Sequence, residues 1–146
     1  MADFRLSRVV RLRSRLRELR ESEMRHLRAQ RSRLESERET TRTTRDDCLY
    51  GESIRARQAP MDEQTFRLGR LWEGALARRE EELGVRIEDT EQAIREKREE
   101  LVAARQEEEK LLRLRERYEA RVAEEAQRHE DAGLDELAIQ AHHRND

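Results

Sequence analysis

The residues best suited to chemistry in this sequence are few, and their spacing does not serve it. His129, His142 and His143 are metal-ligating types, but neighbouring helical positions point about 100° apart. No Cys or His follows any of the three at i+4, so they are read as a solvated tail. Cys48 is the sole cysteine. A nucleophilic thiol needs an adjacent base or cation to hold it as thiolate, and no histidine stands near Cys48 in the sequence. The many glutamates could pair as general acid and base, but tuning two carboxylates apart takes a concave pocket, which a pair of helices does not offer. No glycine-rich phosphate loop is present. The sequence therefore predicts no catalytic residue, no cofactor and no metal site.

A second kind of chemistry is suggested by the opening MADFRLSRVVRLRSRLRELR, whose residues 4–20 hold seven apolar side chains and seven arginines. Arginine pairs strongly with phosphate, so nucleic acid or an anionic membrane surface are possible targets. The spacing favours a helix instead. Phe4, Leu6, Val9, Val10, Leu12, Leu16 and Leu19 fall along one side, and the arginines cover the rest. Apart from Phe4 the stretch has no aromatic residue for base stacking, and no helix-turn-helix or zinc-finger pattern accompanies it. A solvated helix or a partner-binding face is the reading, with neither nucleic acid nor membrane insertion.

These residues must be positioned by elements that the composition already restricts. Charged residues make up 45% of the 146-residue chain and hydrophobic ones 34%, too little bulky apolar volume for a compact core. Only one proline and five glycines interrupt stretches of Ala, Glu, Leu, Arg and Gln, which favour helix at nearly every position. The net charge of −2 conceals an asymmetry. Residues 1–45 carry 14 arginines against 7 acids, or +7, which leaves −9 for residues 46–146. Opposite charge on two arms favours one chain folding back over parallel self-pairing. No uncharged run approaches the ~20 residues needed to span a bilayer. With a lone cysteine and no apolar leader, the chain reads as cytoplasmic and monomeric when alone.

The second arm repeats in heptads. Stepping by threes and fours gives Leu76, Glu80, Leu83, Ile87, Thr90, Ile94, Lys97, Leu101, Ala104, Glu108, Leu111, Arg115, Tyr118 and Val122. Nine of these fourteen are apolar, a seam sustained for six repeats. In the first arm Val9, Leu12, Leu16 and Leu19 keep the same step, and Met24, Leu27 and Leu34 resume one residue late. The eleven residues from Leu16 to Leu27 would relax the supercoil locally. Beyond Leu34 the stripe fades through Arg38, Thr41, Arg45 and Cys48. The fold expected is all-α, two long helices in an antiparallel coiled-coil hairpin forming one domain. Its first helix covers 4–50, a joint 51–62, its second helix 63–131, and a short C-terminal helix or extension 134–143. Gly51 is expected to end the first helix and Pro60 to open the second. Gly133 is expected to break the second. The second arm outlasts the first, so one end should be single or meet a partner.

Two apolar groups stand outside the seam. Trp72, with Leu68, Ala75 and Leu76 and bordered by Arg79, either packs inside the hairpin tip or forms a docking surface. Leu134, Leu137, Ala138 and Ala141 make a short amphipathic face that either caps the hairpin or binds a partner.

Three segments together resemble the flagellar export protein FliJ family: the opening FRLSRVVRLR, LWEGAL after the joint, and the terminal LDELAIQAHHR, of which LDELA is the most specific. Related stalk proteins of virulence type III secretion share this size and layout. The likeness extends over the whole chain in length and organisation, and to particular residues only in those segments. It implies a non-enzymatic antiparallel coiled coil, similar to the shaft of rotary ATPases. Such a stalk inserts into the hexameric export ATPase, promotes its assembly and activity, contacts the cytoplasmic domain of the export gate and handles export chaperones. It would sit peripherally at the cytoplasmic face of the inner membrane. Carried onto this chain, ring binding would fall to Phe4, Leu6, Arg8, Arg11, Arg15, Leu134, Leu137 and Ala138. Gate binding would fall to Leu68, Trp72, Ala75 and Arg79. The seam would comprise Val9, Leu12, Leu16, Leu83, Ile87, Ile94, Leu101, Leu111, Tyr118 and Val122. A generic coiled-coil scaffold or parallel homodimer is the competing reading.

Overall fold

A computed structural model describes residues 5–60 and 62–145, with side chains as far as His142. Two helices account for nearly all of it: α1, Ser7–Gln58, and α2, Glu63–Asn145. They pack against each other antiparallel, with no strand among the described residues. This is the helical hairpin that the heptads imply.

The turn between them is set by local chemistry. Pro60 has no N–H to donate and disfavours helical geometry at Ala59, so α1 stops at Gln58. The last amide bonded in helical fashion is that of Ala59, donating to the Arg55 carbonyl at 3.1 Å. Asp62 precedes the first residue of α2, a position where a short acidic side chain suits the helix dipole, and its carbonyl accepts from the Phe66 amide at 3.0 Å. The joint is thus four residues, 59–62, and not the twelve expected. Gly51 does not end α1, since no glycine has positive φ. The helix runs on to Gln58 and brings the Glu52 carboxylate, beyond the glycine, against Gly69 of α2. Gly133 likewise does not interrupt α2.

The chain divides into two units, residues 1–19 with 101–146, and residues 20–100. In the second unit Leu34, Leu83 and Ile87 make a small apolar core, and Leu83 is fully enclosed. Around it the helices are tied by ion pairs. Arg79 reaches Glu37, and Arg45 reaches Glu73 at 3.5 Å and Glu80 at 3.1 Å. Arg20 and Glu23 of α1 face Lys97 and Glu100 of α2 in an alternating square with contacts of 2.8–3.0 Å. Hydrogen bonds from Arg20 first, and then from Lys97, hold the Glu23 carboxyl below its ordinary range. Glu100, then Glu23, raises Lys97. These groups are wet, so each contact adds little.

In the first unit Val10, Leu101 and Glu108 are buried. Glu108 accepts from Ser14 Oγ at 2.6 Å and from Arg17 Nε at 2.5 Å, so its carboxylate is satisfied where it is covered. From residue 123 to 142 every side chain of α2 is exposed. That stretch has outrun α1, as the unequal arm lengths require.

The heptad seam of α2 is observed as spaced. Leu83, Ile87, Thr90, Leu101 and Glu108 are buried, and Ile94, Leu111, Tyr118 and Val122 are half-buried. The seam of α1 is the principal correction. From Met24 onward the expected phase is kept through Leu27, Leu34, Thr41, Arg45 and Cys48. Before Met24 that phase runs back through Arg17 and Ser14 to Val10, while Val9, Leu12, Leu16 and Leu19 remain exposed. Burying both sets would require the supercoil to relax between Leu16 and Leu27, and the burial pattern shows no such shift of phase. Here α1 keeps the phase fixed by Met24 and Leu34, and polar residues fill the seam at its beginning.

The interior glycines give a measurable consequence. A Cβ at Gly74 or Gly133 would meet nothing within 4 Å. Gly74→Ala and Gly133→Ala should each raise helix stability by about 0.5–1 kcal/mol, read as a higher midpoint of thermal unfolding. Gly69 differs, because a Cβ there would clash with the Glu52 carboxylate. Gly69→Ala must displace that carboxylate and should gain less.

Candidate interaction surfaces

Exposed apolar side chains concentrate in three places. On α1, Val9, Leu12, Leu16 and Leu19 recur at i, i+3, i+7 and i+10, and Leu12 and Leu19 are 58% and 52% exposed. One residue before three of these stand Arg8, Arg11 and Arg15, all exposed, so the stripe has a cationic edge. Leu6 is exposed as well. Phe4 lies outside the described residues.

The second place is α2 just after the joint. Leu68 and Trp72 are 62% and 55% exposed, which settles the open question against packing inside the tip. Ala75 is exposed on the same face. Arg79 is half-buried and committed to Glu37, with Glu82 at 3.5 Å, and these carboxylates hold its guanidinium protonated. Arg79 is therefore a tie between the helices and not a free border of the patch. Leu68 and Trp72 line a groove of about 300 Å³ with Cys48, Glu52, Thr65 and Gly69. Gly69 leaves room for the Glu52 carboxylate to approach the α2 backbone there. The opposite side of the same turns carries a second apolar depression of about 410 Å³, between Phe66, Arg67, Arg70 and Leu71. The sequence reading missed it because Phe66 and Leu71 follow no heptad step. Their signal was bulk next to a helix start.

The third place is the part of α2 beyond α1, where Leu134, Leu137 and Ile139 are exposed and Ala138 and Ala141 share the face of the two leucines. Asp131 and Asp135 run along one edge. Leu134 and Leu137 face solvent here, uncovered by any other described part of the chain.

Other groups gather without forming such a surface. Glu35, Glu39, Glu80, Glu88 and Glu91 line an open groove of about 510 Å³ in the second unit, interleaved with Arg38 and Arg42. The groove is a solvated lattice of opposite charges, consistent with a helix interface of this composition. Among the described residues no three His, Cys, Asp or Glu side chains gather as a metal site would require, and no helix is long and apolar enough to cross a membrane.

The fold and these surfaces define a class, a two-helix hairpin whose apolar surface is spent on exposed patches as much as on its core. No family model matches the chain, and no curated protein or solved structure matches it.

Proposed function

We propose that the protein is a non-enzymatic stalk of a flagellar type III export apparatus, gripped by a hexameric ATPase. One observation carries this reading. In the first unit, Leu12, Leu16 and Leu19 on α1 stay in solvent although α1 packs on α2 there, and Leu134 and Leu137 stay in solvent on the part of α2 that has outrun α1. Apolar surface left open on a highly charged chain is suited to a partner. In this reading Leu6, Arg8, Arg11 and Arg15 with Leu134, Leu137 and Ala138 engage the ring. Leu68, Trp72 and Ala75 engage the cytoplasmic domain of an export gate, and export chaperones are a further class of partner. The protein would be held at the cytoplasmic face of the inner membrane by those contacts alone.

A hairpin with unlike faces cannot touch six equivalent subunits alike, so it biases which subunit interface closes. Adding the chain to the isolated export ATPase should raise ATP hydrolysis several-fold. An unchanged rate together with no co-purification would leave only a generic scaffold. Trp72→Ala should weaken binding to the gate domain about tenfold while circular dichroism stays unchanged, since an exposed Trp of this kind anchors interfaces.

A further inference from the structure

The exposed stripe of α1 and the bare end of α2 are complementary to each other. Residues 5–19 carry six arginines and one glutamate, a net +5. Residues 123–142 carry six acids and one arginine, a net −5. Each stretch has one apolar strip: Val9, Leu12, Leu16 and Leu19 on the first, and Leu134, Leu137, Ala138 and Ala141 on the second. Each strip also has a charged edge, Arg8, Arg11 and Arg15 against Asp131 and Asp135.

The two cannot meet within one chain. Residues 123–142 continue the same helix that already packs on α1, and they run past the beginning of α1 and away from its stripe. Reaching the stripe would mean breaking α2 and reversing it, and α2 is unbroken through Gly133. In a second copy facing the first the obstacle disappears. The bare end of each copy then lies along the α1 stripe of the other, and the contact is made twice about a two-fold axis.

We propose that this protein forms a reciprocal homodimer in which residues 123–142 of each copy cover the Val9, Leu12, Leu16 and Leu19 stripe of its partner. The interface is a helix laid on a helix, with leucines between and opposite charges along the edge. It is independent of the export reading, because it is measured on the chain alone. Where both hold, dimer and ring compete for Leu134, Leu137 and the α1 arginines.

The test uses the whole 146-residue chain. Sedimentation velocity from low micromolar to several hundred micromolar should show a monomer–dimer equilibrium. Raising salt from ~0.05 to ~0.5 M should weaken it about tenfold, as for charge-steered contacts. Arg11→Glu with Arg15→Glu, both exposed and outside the α1–α2 seam, should weaken it at least as much, and the added change Asp131→Arg with Asp135→Arg should restore it. Chains carrying Leu16→Cys and Leu137→Cys, each with Cys48→Ser, should cross-link to one another through a short bis-maleimide when mixed. A chain monomeric at every concentration overturns the proposal. So does a dimer indifferent to charge reversal, or one that cross-links Leu16→Cys chains only to each other, the mark of a parallel pair.

Discussion

Leu83→Ala should lower the free energy of unfolding by about 2–4 kcal/mol, measured by urea or thermal denaturation followed by circular dichroism. Among the described residues Leu83 is the one large side chain that is fully enclosed, and it meets Leu34 and Ile87 in the small core of the second unit. Removing it deletes buried methyl groups and leaves a hole that two stiff helices cannot collapse to fill. Other apolar burial in this chain is sparse, so that loss takes a large share of a margin of only several kcal/mol. Leu12→Ala is the matched control. It removes the same atoms from a side chain 58% exposed and should change stability by no more than about 0.5 kcal/mol. Equal losses from the two variants would show that α1 presents the opposite face to α2.

The second large effect concerns the polar seat of the first unit. Glu108→Ala should cost about 1–3 kcal/mol, because Ser14 and Arg17 would keep their positions near a covered site without the carboxylate they donate to. Replacing all three, with Ser14→Ala, Arg17→Leu and Glu108→Leu, should recover that loss or exceed the wild-type stability. A covered ion pair exchanged for packed apolar groups is commonly neutral or stabilising. The comparison separates two roles. Recovery in the triple variant would mean that the polar seat fixes which face of α1 turns inward and adds little stability of its own. A triple variant as weak as the single one would make Glu108 a true stabiliser. The triple variant also gives the first unit a continuous apolar seam, so it removes any incentive for Leu12 and Leu16 to compete for α2.

Much of the fold was legible because helical periodicity is a local property. Leu76 to Val122 alternate by threes and fours, and the structure turns that side of α2 toward α1 with only Arg115 left exposed. Legibility failed where two local signals disagreed. Val9, Leu12, Leu16 and Leu19 repeat as well as Met24, Leu27 and Leu34, but the two sets are offset by one residue in the heptad frame, so a single 3.5-residue seam cannot bury both. Sequence alone cannot rank them, since each is a good stripe by itself. Ser14 and Arg17 gave no apolar signal of their inward position, which becomes visible only opposite Glu108. The glycines failed for a related reason. Gly51 has the conformational freedom to end a helix, but whether it does so depends on what the residues after it, such as Glu52 beside Gly69, find across from them.

The sequence by itself determined that this chain is helical, that it doubles back near Pro60, and which side of α2 faces inward. Each follows from propensity, a missing N–H, or a period of 3.5, all written in neighbouring residues. Only the tertiary structure decided which face of early α1 is buried, that Arg79 is spent on Glu37, and that Trp72 and Leu134 stay in solvent. Those outcomes depend on the phase one helix imposes on another along their whole contact. That phase is a property of the pair, and no stretch of either helix carries it alone.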